Sequence, residues 1–318
     1  MSLTAIQSAG DAIDITREYL FGRSLRQFVT LAFMVLFLGP TGLSGPPGPV
    51  EFDDEVFGGE GSFPSPAEII DAIDIELAII AISIVAVFTI LYGLVSAFME
   101  FGFIHSLVTD TAAIRNPASD HWPRALSLFV FRAIVWGVIT MTIALLTAQA
   151  IGVIDLPIDP MDTLSLLGLV FVGGIFYLLN RFTTDFVAPI MYHERRGLLA
   201  SWGRLLEVMR LQWRQFAVYV PVRIILEVAL GIAFGVVTAI LLFAMAVVIG
   251  IPVGVVLVLL FGTLPGILTT ITVLAVLAIA LVAVALVPFH TYLRYYTLLV
   301  LGDTSPSLDL IPGSRSRI

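Results

Sequence analysis

LAIIAISIVAVFTILYGLVSAFMEFGFIHSLV, residues Leu77 to Val108, runs for 32 positions with one carboxylate, Glu100, and no Arg. A helix of roughly 20 apolar residues crosses a bilayer, so this stretch is long enough for one complete crossing. An ionised group within such a run is costly unless it is paired or faces a polar cavity. Glu100-Phe101 is followed 32 residues later by Arg132, and Asp185-Phe186 is followed 38 residues later by Arg223. All four charges lie inside long apolar runs. The chain therefore reads as one device built twice, an acid on one membrane helix and a base on its neighbour.

The rest of the chain has the same character. Its 318 residues are 58% hydrophobic and its mean hydropathy is +1.02. That is more apolar surface than one soluble core can hide. The expected architecture is all-α, a polytopic helix bundle with six transmembrane spans. They run at about Leu25–Phe37 (extended by Phe21 and Gly22), Leu77–Val108, Leu126–Ala150, Leu164–Tyr192, Phe216 to just before Gly250, and Ile267–Leu301. Ile251 to Phe261 is apolar and fenced by Gly250, Pro252, Gly254, Gly262, Pro265 and Gly266. Eleven helical residues rise only about 16 Å, short of the hydrocarbon thickness, so this piece is expected to be re-entrant or interfacial rather than a seventh span.

Charge sets the expected orientation. The cations other than His are all Arg, with no Lys. Glu51, Asp53, Asp54, Glu55, Glu60, Glu68, Asp71 and Asp74 form one Arg-free loop, and Asp155, Asp159 and Asp162 lie in another. Arg17, Arg23, Arg26, Arg115, Arg124, Arg195, Arg196, Arg204, Arg210 and Arg214 fall on the opposite side. By the positive-inside rule those segments and both termini are cytoplasmic, in a multi-pass protein of the cell membrane. The acidic balance with Arg as sole basic residue also fits the high-salt habit of archaeal proteins, or a GC-rich genome.

Each hairpin is introduced by a stretch with helical apolar spacing. Leu198, Trp202, Leu205, Leu206, Met209, Trp213 and Phe216 recur at three and four residues, predicting a cytoplasmic amphipathic helix in the interface. Leu3, Ile6, Ile13 and Leu20 mark a weaker one, and around Pro117 a third restarts at Ser119 or Asp120 with Pro123 in its first turn. The expected layout is a single membrane domain over residues 1–302, in three hairpin units of about 3–110, 111–195 and 196–302, with a cytoplasmic tail at 303–318. Gly173, Gly174, Gly231 and Gly235 are small enough to permit close helix approach.

The candidate site is the intramembrane polar layer: Glu100, Arg132, Arg181, Asp185, Arg223, Glu227, His290 and Arg294. Antiparallel neighbours should bring together Glu100 with Arg132, Asp185 with Arg223, and Arg181 with Glu227. Such pairs serve as structural glue between membrane helices, or the three Arg clamp an anionic or zwitterionic headgroup through their planar donor forks. A proton or solute pathway through Glu100, Glu227 and His290 is the remaining reading. His105, His121, His193 and His290 lack metal-ligand spacing, and His121 and His193 are expected in solvated turns. No nucleotide loop, serine elbow or cofactor motif occurs, and there is no Cys. No cofactor, metal or catalytic residue is expected. The Arg groups lack the aromatic interleaving that nucleic acid requires.

FTTDFVAPIMYHERRGLLASWGRLLEVMRLQWRQFAVYVPVRIIL, Phe182 to Leu226, and HTYLRYYTLLVLGD, His290 to Asp303, resemble segments of uncharacterised multi-pass membrane proteins of haloarchaea. More distantly they are similar to the membrane domain attached to some glycerophosphodiester phosphodiesterases. The resemblance implies a six-span helical domain and no activity, because that enzyme carries its chemistry in a separate soluble barrel. A lipid-related role follows by analogy alone. The expected function is thus a non-enzymatic integral membrane protein that binds lipid headgroups or assembles with another membrane protein or its own copies. The alternative is a transporter or channel for a small polar solute.

Overall fold

The computed structural model describes residues 4–38, 75–111, 121–150, 152, 154 and 162–316, and every regular element among them is a helix. In chain order these are α1 (Thr4–Phe21), α2 (Leu25–Leu38), α3 (Ile75–Val108), α4 (Trp122–Ala150) and α5 (Thr163–Phe182). A π turn (Thr183–Val187) leads from α5 into α6 (Ala188–Glu194), and α7 (Leu198–Leu211) precedes α8 (Trp213–Met245). A second π turn (Ala246–Gly250), α9 (Ile251–Phe261), α10 (Thr263–Thr304), a 3-10 turn (Pro306–Leu308) and α11 (Pro312–Arg315) complete the order. The acidic loop residues 51–74, Asp155, Asp159, Arg115, Pro117, Ser119 and Asp120 lie outside the described residues.

Five helical stretches are long and apolar enough to cross a membrane: Ile79–Val108, Trp122–Gln149, Leu167–Glu194, Trp213–Phe261 and Thr263–Thr304. The first expected span is different. Phe21 and Gly22 do not extend it, because the chain breaks between α1 and α2. Ser24 and Gln27 make a capping box there, Gln27 N donating to Ser24 Oγ (3.5 Å) and Ser24 N to Gln27 Oε1 (3.4 Å). The 14 residues of α2 rise about 21 Å, less than the roughly 30 Å of hydrocarbon.

Ile251–Phe261 also departs from expectation. It is not a separate helical segment but continues α8 through the second π turn. Pro252 explains the register change, since its ring and missing N–H disrupt the α-helical bonds one turn back. At Gly262, with φ +86°, the chain reverses, and α10 returns along α9. The two pack closely: a Cβ on Gly266 would lie 2.5 Å from the Val258 Cα, and one on Gly254 would lie 3.3 Å from Thr270. Gly173, Gly174, Gly231 and Gly235, expected at close approaches, have nothing within 4 Å of a Cβ. Among the described residues no helix closes on them; close contacts at glycine are made at the α9–α10 end instead.

Burial is concentrated at one end of the bundle. Thr291 to Gly302 are all buried, whereas between Thr263 and Val282 only Gly266 is. The first buried residue of α3 is Ala97, among its described side chains. α10 is the hub of this end, packed by α1, α2 and α8. The α1 face that packs is Ala12, Ile15 and Tyr19, while Ile6 and Ile13 of the expected stripe are exposed. Polar contacts select that face. Tyr292 OH donates to Ala9 O (3.1 Å), Ser8 Oγ to Asp303 (2.9 Å), and Tyr19 OH to Ser106 O (3.0 Å).

On α7, Leu198, Leu205 and Val208 are buried against the protein, while Leu199 and Leu211 are exposed. Of the expected stripe, Leu198, Leu205 and Phe216 are used on the core while Leu206 and Trp213 are exposed, and the helix stops at Gln212, whose side chain donates to Thr304 O at 2.7 Å. The last residues pack as well. Leu308, Leu310 and Ile311 are buried, and Arg315 donates to Leu299 O (2.9 Å) while pairing with Asp303 and Asp309. Gly302 makes room for this, because a Cβ there would come within 2.6 Å of the Arg315 guanidinium.

Candidate functional site

Two helical faces build the centre of the ion layer. On α8, Tyr219, Arg223 and Glu227 follow at four-residue steps, so all three project from one side. Tyr177, Arg181 and Asp185 do the same from α5 into the first π turn. The helices run antiparallel, so Tyr177 meets Glu227 and Asp185 meets Tyr219.

Asp185 Oδ2 is the convergence point. It accepts from Tyr219 OH at 2.6 Å and pairs with Arg181 Nε at 2.9 Å and Arg223 Nε at 3.2 Å. Glu227 Oε2 accepts from Tyr177 OH at 2.5 Å. Its Oε1 pairs with Arg181 and, at 3.4 Å, with Arg223 Nη2. Two acids and two bases thus neutralise one another, and aromatic rings seal the group: Tyr219 lies 4.7 Å from Phe186 and stacks 5.7 Å from Tyr296.

The second group is joined to the first through adjacent residues of the π turn. Glu100 pairs with Arg132 (3.1 Å) through one oxygen and with Arg294 through the other. Arg132 Nη2 also donates to Thr184 Oγ1 at 2.9 Å, and Arg294 Nη1 to Thr184 O at 2.6 Å. The availability of that carbonyl follows from the backbone. Ala188 N–H bonds to Thr183 O, five residues back, so it is not given to Thr184 O. The next donor in π register would be residue 189, a Pro with no N–H. Arg294 fills the vacancy.

The three cross-helix pairs read from the sequence therefore all form, and Arg294 ties the last long helix into the same layer. His290, the eighth candidate, is half-buried with its ring edge-on to Phe103 at 6.5 Å. Sequence reasoning missed Tyr177, Tyr219 and Thr184. Each had a signal: the tyrosines precede Arg181 and Arg223 by four residues, one helical turn, and Thr184 abuts Asp185. His121 is buried rather than in a solvated turn, because its ring stacks between Phe101 (5.7 Å) and Tyr192 (5.0 Å), and the Tyr192 hydroxyl in turn bonds His105 Nδ1 at 2.8 Å. His193 is exposed.

Buried ion pairs of this kind are strongly destabilised when one partner is lost, because the other is left charged in a low-dielectric interior. They also fix which face of each helix meets its neighbour. The layer's composition is uneven: Arg132, Arg181, Arg223 and Arg294 face Glu100, Asp185 and Glu227, a formal excess of one positive charge.

A family model described as "Family of unknown function (DUF7544)" matches residues 3–311, and the chain belongs to that family. No curated protein and no solved structure matches the chain.

Proposed function

We propose that this member of DUF7544 is a non-enzymatic integral protein of the cell membrane whose ion layer is a closed hub, not a pathway. Around that hub the protein engages membrane lipid headgroups or assembles with another membrane protein or its own copies. The carrying observation is the closure of the layer on itself. Asp185, Arg223 and Glu227 are 5% exposed or less, and the tyrosine hydroxyls bond both carboxylates of that group. A solute path would need water-lined space beside Glu227, where Tyr177 OH stands at 2.5 Å.

The proposed topology has six spans, with α2 as the first, and both termini in the cytoplasm. The Arg distribution supports it. Arg17, Arg23, Arg124, Arg195, Arg204 and Arg315 belong to the buried end of the bundle, while Glu76 and Asp162 begin the helices at the other end. On this reading α1 and α7 are cytoplasmic helices beside the bilayer, with exposed Ile6, Ile13, Leu199 and Leu211 as the residues available to the interface. Its all-Arg cations and acidic balance suit the membrane of a salt-loving archaeon.

The chain has no Cys of its own, so a single introduced thiol reports without background. Leu230 lies one helical turn past Glu227. Leu230→Cys should resist a charged, membrane-impermeant methanethiosulfonate reagent that readily labels Ser307→Cys at an exposed turn. Equal labelling of the two would replace the hub with a solute pathway.

A further inference from the structure

Arg132 is the layer residue least committed to its partners. Its side chain is 16% exposed, against 3% for Glu100 and Arg223. Both of its hydrogen bonds leave from Nη2, to Glu100 and Thr184. Among the described residues Nε and Nη1 donate to no protein acceptor, so three N–H donors of this partly exposed guanidinium are open to a ligand. The layer as a whole also carries one more positive charge than negative. Both facts call for an anion on the Arg132 side.

What adjoins Arg132 supplies the rest of the ligand. A cleft of about 270 Å³ separates α4 from α5, lined by Val135, Trp136 and Ile139 on one side and Gly173, Tyr177 and Asn180 on the other, with the Tyr177 hydroxyl already engaged by Glu227. Val135 and Trp136 stand one turn above Arg132 on the same side of α4, and Asn180 stands one turn above Thr184, which Arg132 bonds. The layer end of the cleft therefore lies one helical turn from Arg132 and from Thr184. The cleft is mainly apolar; Tyr177 and Asn180 line it near the layer, and Thr142 lies farther along α4.

We infer that the α4–α5 cleft holds the hydrocarbon chain of one anionic membrane lipid, whose phosphate completes the bonding of Arg132. The inference rests on the headgroup-binding form of the function proposed above and gives it a place and a charge. An Arg fork suits phosphate oxygens in a way a zwitterionic surface reproduces poorly, because the trimethylammonium group brings a second positive charge to an already cationic site. The Trp136 indole and the Asn180 amide are further donors at the same level.

Gly173 makes the test clean. A Cβ there meets nothing within 4 Å, and Gly173 lines the cleft, so a side chain at this position starts without a backbone clash and extends into the cleft. The full-length protein, purified in mild detergent, is titrated with phosphatidylglycerol and with phosphatidylcholine and read by native mass spectrometry. The wild type should take up one phosphatidylglycerol about tenfold or more tightly than phosphatidylcholine, the ratio that corresponds to about 1.4 kcal/mol. Gly173→Trp should lose that affinity by a similar factor at an unchanged melting temperature, and Arg132→Gln should erase the preference between the two lipids. Millimolar inorganic phosphate should not displace the bound lipid. Uptake by Gly173→Trp equal to the wild type, absence of an anionic preference in the wild type, or displacement by inorganic phosphate would each overturn the inference. Labelling of Leu230→Cys separates the two claims, since a protected thiol with no lipid preference removes the cleft and leaves the closed hub.

Discussion

Glu100 shows most directly how one side chain organises its surroundings. Among the described residues it is the sole acid between Arg132 and Arg294, which come from different helices. Glu100→Gln should leave two buried guanidinium groups facing each other, at a cost of about 3–5 kcal/mol. Tyr177→Phe, which removes a single hydroxyl from Glu227, should cost about 1 kcal/mol, within the range measured for polar contacts between membrane helices. Unfolding of both variants in detergent by rising denaturant would check the order, and equal losses would mean that Glu100 does not bridge the two bases. The carboxylates and Arg of this layer were legible in the sequence because charge within an apolar run is conspicuous. Tyr177, Tyr219 and Thr184 were not, since a tyrosine or threonine in a membrane helix has many uses, and only a neighbour's position distinguishes them.

At the scale of elements, prolines and glycines carry the information that hydropathy lacks. Both π turns sit immediately before a helix segment with proline at its second position, Pro189 and Pro252. The first turn frees the Thr184 carbonyl for Arg294. The second lets α8 and α9 form one helical stretch where the sequence reads as a boundary. Apolar composition was enough to place α3, α4, the stretch from α5 through α6, α8 and α10 to within a few residues. It did not reveal the break between α1 and α2, which rests on the Ser24–Gln27 capping box. Glycines differ sharply in their tolerance. Gly266→Leu places side-chain atoms against the Val258 backbone and should destabilise the α9–α10 hairpin by about 1–3 kcal/mol, as overpacking does. Gly235→Ala, facing open space, should be neutral or stabilising by up to about 1 kcal/mol through helix propensity. Melting temperatures in one detergent would compare them, and a larger loss at Gly235 would contradict the packing described.

Across the whole molecule, a tightly packed polar end carries helices whose other ends are largely exposed apolar surface. α8, the π turn and α9 together span 49 residues, about 74 Å at 1.5 Å per residue, more than twice the roughly 30 Å of hydrocarbon. The hairpin with α10 therefore tilts strongly or reaches past the bilayer on the side away from the ion layer. In the proposed orientation Thr263→Cys, at the hairpin tip, should label with an impermeant thiol reagent in intact cells. Ser307→Cys should label only after lysis. The reverse pattern would invert the topology. Composition and the run of apolar residues were sufficient by themselves for a helical membrane protein with paired charges near one face. These properties are local, because the cost of burying a charge in hydrocarbon depends on no particular neighbour. The partner of each charge, the side of α1 that packs, the seating of His121 and the cleft between α4 and α5 were decided only by the tertiary structure. They depend on distances between helices far apart in the chain, set by side-chain volume and by backbone groups released at the π turns.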